Sequence, residues 1–219
     1  MSLDAVKTAL DTSENNETNL AETTAPFEKW QDFPISQISH HGTICCEIAR
    51  EWLSAMDFSN LNGGSLMTGP RWIRRYYNWG PTRWQIHWCE AIRQNMLDCG
   101  AQAALANEVF AVRGVKSYPV QLVQQYSKEA TQHWSQKWDG QETSTHWINE
   151  DLIYHEGAAV AVMDNEIKIW DASAGWWINP RQLGGYGSLR ALRLFSGQTD
   201  ATEFVWGEHK IIPNQWQEI

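Results

Sequence analysis

The spacing of hydrophobic positions changes near residue 114. Before it, hydrophobic side chains recur every three or four residues, which is the spacing of one helix face. This pattern predicts three helices, over 42–56, 81–97 and 99–113. In the second of them, Trp84, Trp88 and Ile92 would form the buried face, and Pro81 suits the first helical turn. Gly114 suits the end of the third helix, because glycine readily adopts the left-handed conformation that follows a helix.

Hydrophobic and polar positions alternate in much of the sequence after Gly114, as they do in β-strands. Predicted strands lie within 115–127, 154–173, 189–195 and 202–212. The segment 154–173 is predicted to hold two strands joined by a tight turn at Asp164 and Asn165. Helices come first and strands follow, so the predicted class is α+β, with a helical N-terminal part and the third helix packed on an antiparallel β-sheet.

Composition narrows the classes of function. The 219 residues carry a net charge of −9, and an acidic chain repels phosphates, so we expect no nucleic-acid partner. No apolar run is long enough to span a membrane, and no membrane partner is expected. Residues 1–25 are predicted to be a disordered polar tail, and residues 26–219 a single domain. Because the N-terminus lacks the pattern of a secretory signal, a cytoplasmic location is expected.

Two local clusters of residues suggest a metal site and an RNA-binding surface. His40, His41, Cys45 and Cys46 lie close together, but adjacent pairs point apart and no second cluster follows with zinc-site spacing. No metal or other cofactor is therefore expected, and four cysteines of this spacing make no disulfide framework. Aromatic residues and three arginines are interleaved over 71–79. An RNA-binding surface there is a minor alternative to a solvated face beside a tryptophan-rich core.

Cys99 lies where the third helix is predicted to begin. At a helix N-terminus, free backbone N–H groups and the positive end of the helix dipole stabilise a thiolate and lower the pKa of a thiol. This placement is typical of a nucleophile, and a cysteine buried for packing is the alternative. Gly100, the next residue, would allow the backbone of a substrate to approach closely.

A nucleophilic cysteine needs a histidine base, and the histidine needs an orienting carboxylate or amide. His155 begins a predicted strand, and Asp171 lies on its hairpin partner. A two-residue turn at 164–165 places Asp171 opposite Ala158, three residues from His155, so that the two side chains point to opposite faces. One bulged residue between them would return both to the same face, and we expect this bulge at Gly157.

Other polar residues near this pair fit the roles less well. His146 lies further from a carboxylate on a paired strand, and His87 and His133 fall within helical patterns. Glu156 is predicted to point to the other face of the sheet, and Asp164 to lie in the turn. Neither carboxylate is expected to reach the imidazole.

Three segments, in this order, resemble the transglutaminase-like superfamily, which is similar in its core to arylamine N-acetyltransferases and the papain fold. They are a cysteine that opens a helix leading into a strand (DCGAQAALANEVFAVRGVKSYPVQLV), a histidine at a strand start (YHEGAAVAV) and an aspartate on the next strand (IKIWDASAGWW). The resemblance covers about residues 83–180. It implies that Cys99 is the nucleophile, His155 the base and Asp171 the orienting acid.

The chemistry implied by the resemblance is acyl transfer without a cofactor. The thiolate of Cys99 would attack an amide or thioester carbonyl, its backbone N–H would donate to the oxyanion, and His155 would protonate the leaving group. Gln85, Trp88 and Gln94 are candidates for the second oxyanion donor. The expected partners are a peptide, protein or acyl-thioester substrate and an amine acceptor. A peptidase or deamidase that uses water, and an inactive binding module of the same fold, remain as alternatives.

Overall fold

The computed structural model describes residues 25–39, 68–138, 147–181, 187–197 and 201–219, together with Glu47 and Glu51, which are both helical. Nearly all of the tail predicted over 1–25 lies outside these residues. The same holds for most of the helix predicted over 42–56 and for the cluster of His40, His41, Cys45 and Cys46.

Four α-helices and one 3₁₀ turn, at Glu28–Trp30, are described. The helices are α1 (Thr68–Tyr76), α2 (Trp88–Ala91), α3 (Cys99–Val112) and α4 (Lys128–Lys137). The helix predicted over 99–113 is confirmed as α3, and Gly114 follows it with a φ of 68°, the left-handed conformation expected there.

The single helix predicted over 81–97 is wrong. Only the four residues of α2 are helical, and Met96–Leu97 form a short strand, β2, that pairs in parallel with β1 (Asn78–Trp79). Trp88 and Ile92 are buried in one cluster and Trp84 packs against it, so the spacing of four did indicate burial. Side chains of this segment bind the start of α3 instead of one another, and these tertiary contacts override the helical pattern.

Nine of the described strands form one large mixed sheet. They are β3 (Ser117–Gln125), β4 (Ile148–Asn149), β5 (Leu152–Met163), β6 (Glu166–Asp171), β7 (Trp176–Trp177), β8 (Ser188–Leu194), β9 (Phe204–Trp206), β10 (His209–Ile211) and β11 (Trp216–Glu218). The order of the main path is β10-β9-β6-β5-β3-β8-β11, with β4 paired to β5 and β7 paired to β6. The α+β class is confirmed. The sheet is mixed and not wholly antiparallel, because β9 returns to the edge of β6 and pairs with it in parallel.

Neighbouring alanines of β5 show how the sheet separates two layers of the core. Ala158 belongs to a cluster that includes Leu105 and Val109 of α3, whereas Ala159 belongs to a cluster with Leu122 of β3 and further strand residues. Successive residues of a strand point to opposite faces, so α3 covers one face of the sheet. The N-terminus of α3 is thereby placed against the central strand β5.

The hairpin of β5 and β6 contains the predicted turn, but its bulge lies elsewhere. Residues 164–165 form the turn, and the register shifts between Ala161 and Met163. The bulge expected at Gly157 is therefore wrong, because Gly157 pairs in unbroken register with Val120 of β3. A Cβ at residue 157 would lie 2.8 Å from a backbone carbonyl oxygen of β6. The glycine thus marks a close approach of two backbones, which is the other common reason for glycine within a strand.

Candidate active site

Cys99 begins α3, and the residue before it forms the helix cap. The Asp98 side chain accepts a hydrogen bond from the backbone N–H of Ala101 at 2.8 Å, as an N-cap residue does. It accepts a second from Nε1 of Trp84 at 2.7 Å, and the Asp98 N–H donates to Oγ1 of Thr82 at 2.7 Å. Burial raises the pKa of Asp98 to about 6, although these hydrogen bonds oppose the shift. The first turn of α3 is thus fixed around Cys99.

Gly100 lets another part of the chain lie against this helix start. A Cβ at residue 100 would lie 2.1 Å from Oγ of Ser36 and 3.3 Å from Oε2 of Glu156. Ser36 donates to Glu156 through its hydroxyl at 2.8 Å and through its N–H at 3.2 Å, and the hydroxyl of Tyr154 donates to Oε1 of Glu156 at 2.6 Å. The close approach expected at Gly100 is made by the protein's own segment 33–37.

The register of the hairpin brings His155 and Asp171 together. Ala158 pairs with Trp170, and continuing this register by one residue places Asp171 beside Gly157, two residues from His155. An even spacing puts both side chains on the same face. Nε2 of His155 lies 3.0 Å from Oδ2 of Asp171, at ion-pair distance, although the ring N–H is not aligned as a well-formed hydrogen bond requires. Such loose alignment is common in catalytic pairs without substrate.

The other oxygen of Asp171 holds the turn that follows β6. Oδ1 accepts hydrogen bonds from the N–H of Ser173 at 3.0 Å, the hydroxyl of Ser173 at 2.9 Å and the N–H of Ala174 at 2.9 Å. An aspartate that binds the backbone two residues later is a recurring turn element. These bonds fix the carboxylate so that Oδ2 is left for His155.

The three residues are buried, with exposed fractions of 3% for Cys99, 8% for His155 and 4% for Asp171. The charge of each side chain therefore affects the pKa values of the others. Burial opposes the protonation of His155, but the charges of Asp171 and Cys99 outweigh it, so the pKa of His155 lies well above its usual value. Burial also opposes the ionisation of Asp171, yet His155 and the turn hydrogen bonds hold that pKa below its usual value. The charges of Cys99 and His155 also act on each other, so that the imidazolium lowers the pKa of Cys99 and the thiolate raises the pKa of His155.

The thiol itself departs from the expectation of a lowered pKa. Burial raises the pKa of Cys99 above its usual value, and the interaction with His155 opposes the shift without cancelling it. The argument from the helix N-terminus took no account of this burial, which the sequence does not display. Deprotonation of Cys99 therefore depends on His155 more than on the helix dipole.

Two cavities meet at Cys99. The first, which we call the indole cavity, has a volume of about 540 Å³ and is lined by His155, Asp171 and five tryptophans, Trp79, Trp134, Trp138, Trp147 and Trp176. The second, which we call the Ser36 cavity, has a volume of about 740 Å³ and is lined by the segment 33–37, Gly100 and Glu156. Cys99, Trp147 and Tyr154 line both. Cys99 is thus buried at the place where the two cavities adjoin.

Of the three candidates for a second oxyanion donor, the structure places Gln85 in the Ser36 cavity with Cys99. Trp88 is completely buried in the core, and Gln94 is exposed and lines neither of the two cavities. Among the described residues, no protein atom accepts a hydrogen bond from the Cys99 N–H. This N–H is available to an oxyanion, and Gln85 is the one of the three candidates that shares a cavity with Cys99.

None of the other histidines that the structure describes lines either of the two cavities. Nδ1 of His87 lies 2.6 Å from Oγ of Ser39, at the start of α2, and His133 is exposed on α4. His146 lies outside the described residues. Among those residues, no group of three or more His, Cys, Asp or Glu side chains is arranged to hold a metal ion.

Some residues around the site were missed by the sequence analysis. Asp98 carried a usable signal, because aspartate immediately before an apolar helix is a common N-cap. Ser173, two residues after Asp171, is typical of the turn that it forms. The contact of Ser36 with Glu156 joins residues 120 positions apart, and no local pattern indicates it.

Comparison with known proteins adds no family to this description. No model of a protein family, no curated protein and no solved structure matches the chain. In the part of the chain that the structure describes, no helix has both the length and the apolar character needed to cross a membrane. The function has to be argued from the site.

Proposed function

We propose that the protein is a cysteine acyltransferase of the transglutaminase-like kind, which forms or exchanges an amide through a thioester acyl-enzyme. The observation that carries the proposal is the position of His155 between two buried partners. Its Nε2 lies 3.0 Å from Asp171, it lines the indole cavity together with Cys99, and each of His155 and Cys99 favours the ionised form of the other. A nucleophile, a base and an orienting acid in this relation are the arrangement that thiol acyl transfer requires.

The reaction follows from the groups around the thiol. His155 takes the proton of Cys99, and the sulfur attacks the carbonyl carbon of an amide. The Cys99 N–H and the Gln85 amide donate to the oxyanion. His155 then returns the proton to the nitrogen, the C–N bond breaks, and the acyl group remains on sulfur as a thioester. An amine attacks the thioester carbon and loses its proton to His155, the new C–N bond forms, the C–S bond breaks, and His155 returns the proton to the sulfur of Cys99.

The aromatic lining beside His155 favours an amine acceptor over water. The acceptor approaches from the side of the base, and His155 lines the indole cavity. An apolar wall on that side disfavours water and suits the organic part of an amine. Hydrolysis by the same acyl-enzyme, as in a peptidase or deamidase, is the alternative outcome of the test.

A panel of amide and thioester donors, offered to the full-length protein with hydroxylamine as acceptor, tests the proposal. Mass spectrometry should show an acyl adduct on Cys99 that hydroxylamine removes as a hydroxamate. Cys99→Ser should form no thioester, whereas Cys89→Ser, a control at a half-buried cysteine on α2, should behave as the wild type. A donor that is hydrolysed without any hydroxamate would replace the transferase by a hydrolase. No adduct on Cys99 with any donor would contradict the proposal.

A further inference from the structure

The indole cavity is built to hold a ring. Trp79 meets three other tryptophans edge to face, with ring centroids 5.0 Å from Trp134, 5.6 Å from Trp138 and 5.5 Å from Trp147. Aromatic rings prefer this edge-to-face arrangement to a face-to-face sandwich, and all four of these tryptophans line the cavity. A cavity of about 540 Å³ whose wall includes five tryptophans and two tyrosines lies within the usual range for small-ligand sites.

One positive charge lies in this aromatic wall. Arg74 of α1 is the only lysine or arginine among the described residues that line the cavity. No described carboxylate lies at ion-pair distance from its guanidinium. Asp171, the only carboxylate of the lining, is bound to His155 and to its own turn. The wall thus offers a cation without a partner in the described part of the chain.

The backbone near the triad keeps Arg74 in place. Gly175 lies four residues after Asp171, and a Cβ there would lie 3.0 Å from Cγ and 3.2 Å from Cβ of Arg74. The aliphatic stem of the arginine therefore packs directly on the turn that Asp171 holds. Arg74 is an exposed residue of the cavity lining, and arginine commonly buries its stem and keeps its head solvated, which fits a guanidinium at the solvent side of the cavity.

The indole cavity lies on the His155 side of the thiol, and this position decides which half of the substrate binds in the cavity. If the proposed acyl transfer holds, His155 gives its proton to the nitrogen that leaves the carbonyl carbon bound to the sulfur of Cys99. That nitrogen must lie beside the imidazole, and the imidazole lines the indole cavity. The amine half of the substrate therefore enters this cavity, and the acyl half enters the Ser36 cavity.

We propose that the amine half is an aromatic α-amino acid with a free carboxylate. Such a molecule carries the three groups that the cavity can receive: an amine for His155, a ring for the tryptophans and a carboxylate for Arg74. This inference rests on the proposed function for the assignment of the amine side. A cationic amine such as a lysine side chain would also be attracted by aromatic faces, but Arg74 repels it.

Binding of the free amine tests the inference without any acyl transfer. The full-length protein, labelled with ¹⁵N in its tryptophan indoles, is titrated with L-phenylalanine, L-phenylalaninamide and L-leucine, followed by NMR. Phenylalanine should bind about fivefold more tightly than phenylalaninamide, the size expected for one exposed ion pair, and more tightly than leucine. The measurement needs no acyl transfer, so a failure of catalysis does not affect this result.

Two arginines of α1 allow an effect of the charge at the cavity to be distinguished from an effect of net charge. Arg74→Gln should abolish the preference for phenylalanine over its amide. Arg75→Gln, which removes an exposed charge that does not line the cavity, should leave the preference unchanged. Equal or tighter binding of phenylalaninamide, loss of the preference in both variants, or no shift with any ligand up to millimolar concentration would overturn the inference. The acyl transfer proposed above would then stand or fall on the thioester experiment alone.

Discussion

The two carboxylate oxygens of Asp171 have different partners: Oδ1 accepts hydrogen bonds from its own turn, and Oδ2 lies beside His155. Asp171→Asn should keep the turn, because an amide oxygen can accept the bonds from Ser173 and Ala174. The amide nitrogen would then face Nε2 of His155, which favours the wrong tautomer and removes the charge that raises the pKa of His155. We expect turnover to fall on the order of 10²–10⁴-fold with little change in substrate affinity.

Steady-state kinetics on folded Asp171→Asn protein measure this effect. Asp164→Asn is the matched control, since Asp164 lies in the turn of the same hairpin and asparagine tolerates its positive φ of 23°. The control should keep nearly full activity. Wild-type turnover in Asp171→Asn, or an equal loss in both variants, would show that the orienting acid has been misassigned.

Glu156 makes the stability of the protein depend on pH. Burial raises its pKa to about 7 from the usual 4.5, so between these values the folded state keeps a proton that the unfolded chain has lost. The free energy of unfolding therefore falls as the pH rises through this range, by roughly 3 kcal/mol in total. Glu156→Gln cannot ionise, and its advantage over the wild type should grow from about pH 4.5 to about pH 7 and then remain constant.

Urea denaturation at a series of pH values measures this difference. Glu166→Gln, at an exposed position of β6, is the control and should follow the wild-type curve. A residual slope at lower pH is expected in both variants, because the pKa of Asp98 is raised to about 6. Parallel curves for Glu156→Gln and the wild type would contradict the assigned role of Glu156.

At the scale of elements, the contact of α3 with segment 33–37 depends on the missing side chain of Gly100. Alanine favours helices by about 1 kcal/mol over glycine, yet Gly100→Ala should destabilise the protein by about 1–3 kcal/mol. The reason is that its Cβ would lie 2.1 Å from Oγ and 2.6 Å from Cβ of Ser36. In the double variant with Ser36→Gly the clash is absent, and the added cost of Gly100→Ala should largely disappear.

A double-mutant cycle of these two substitutions, measured by chemical denaturation, isolates the contact. The coupling free energy should be favourable and comparable to the loss in Gly100→Ala alone. A stabilising Gly100→Ala, or no recovery in the double variant, would mean that segment 33–37 does not lie against the start of α3.

Much of the element pattern was predictable, and the exceptions have physical causes. The periodicity of α3 and the alternation in β3, β5 and β6 are local properties, and the structure contains these elements. Residues 81–97 carry a helical spacing, but Trp84 donates a hydrogen bond to Asp98 and Thr82 accepts one from it, so tertiary contacts decide their conformation. The bulge lies at residue 162 and not at the glycine, because Gly157 is needed for the close approach of β6.

The whole molecule places one buried thiol between two cavities of different character. Sequence spacing brought Cys99, His155 and Asp171 into consideration, and the structure places the three side chains together. Sequence spacing did not indicate the indole cavity, because its tryptophans come from elements that are separated along the chain and meet only after folding. The proposed direction of the reaction, with the amine beside the tryptophans and the acyl group beside Ser36, is likewise a property of the assembled fold.

The alkylation rates of Cys99 and Cys89 test the central claim most directly. Iodoacetamide labelling of the native protein at neutral pH, mapped by mass spectrometry, gives both rates in one sample. Exposure alone predicts that the half-buried Cys89 reacts faster than Cys99, which is 3% exposed. If His155 takes the proton of the thiol, Cys99 should react about tenfold faster than Cys89 in spite of its burial and its raised pKa, and a folded His155→Asn variant should lose this advantage. Faster labelling of Cys89 in the wild type, or an unchanged rate at Cys99 in His155→Asn, would contradict the account.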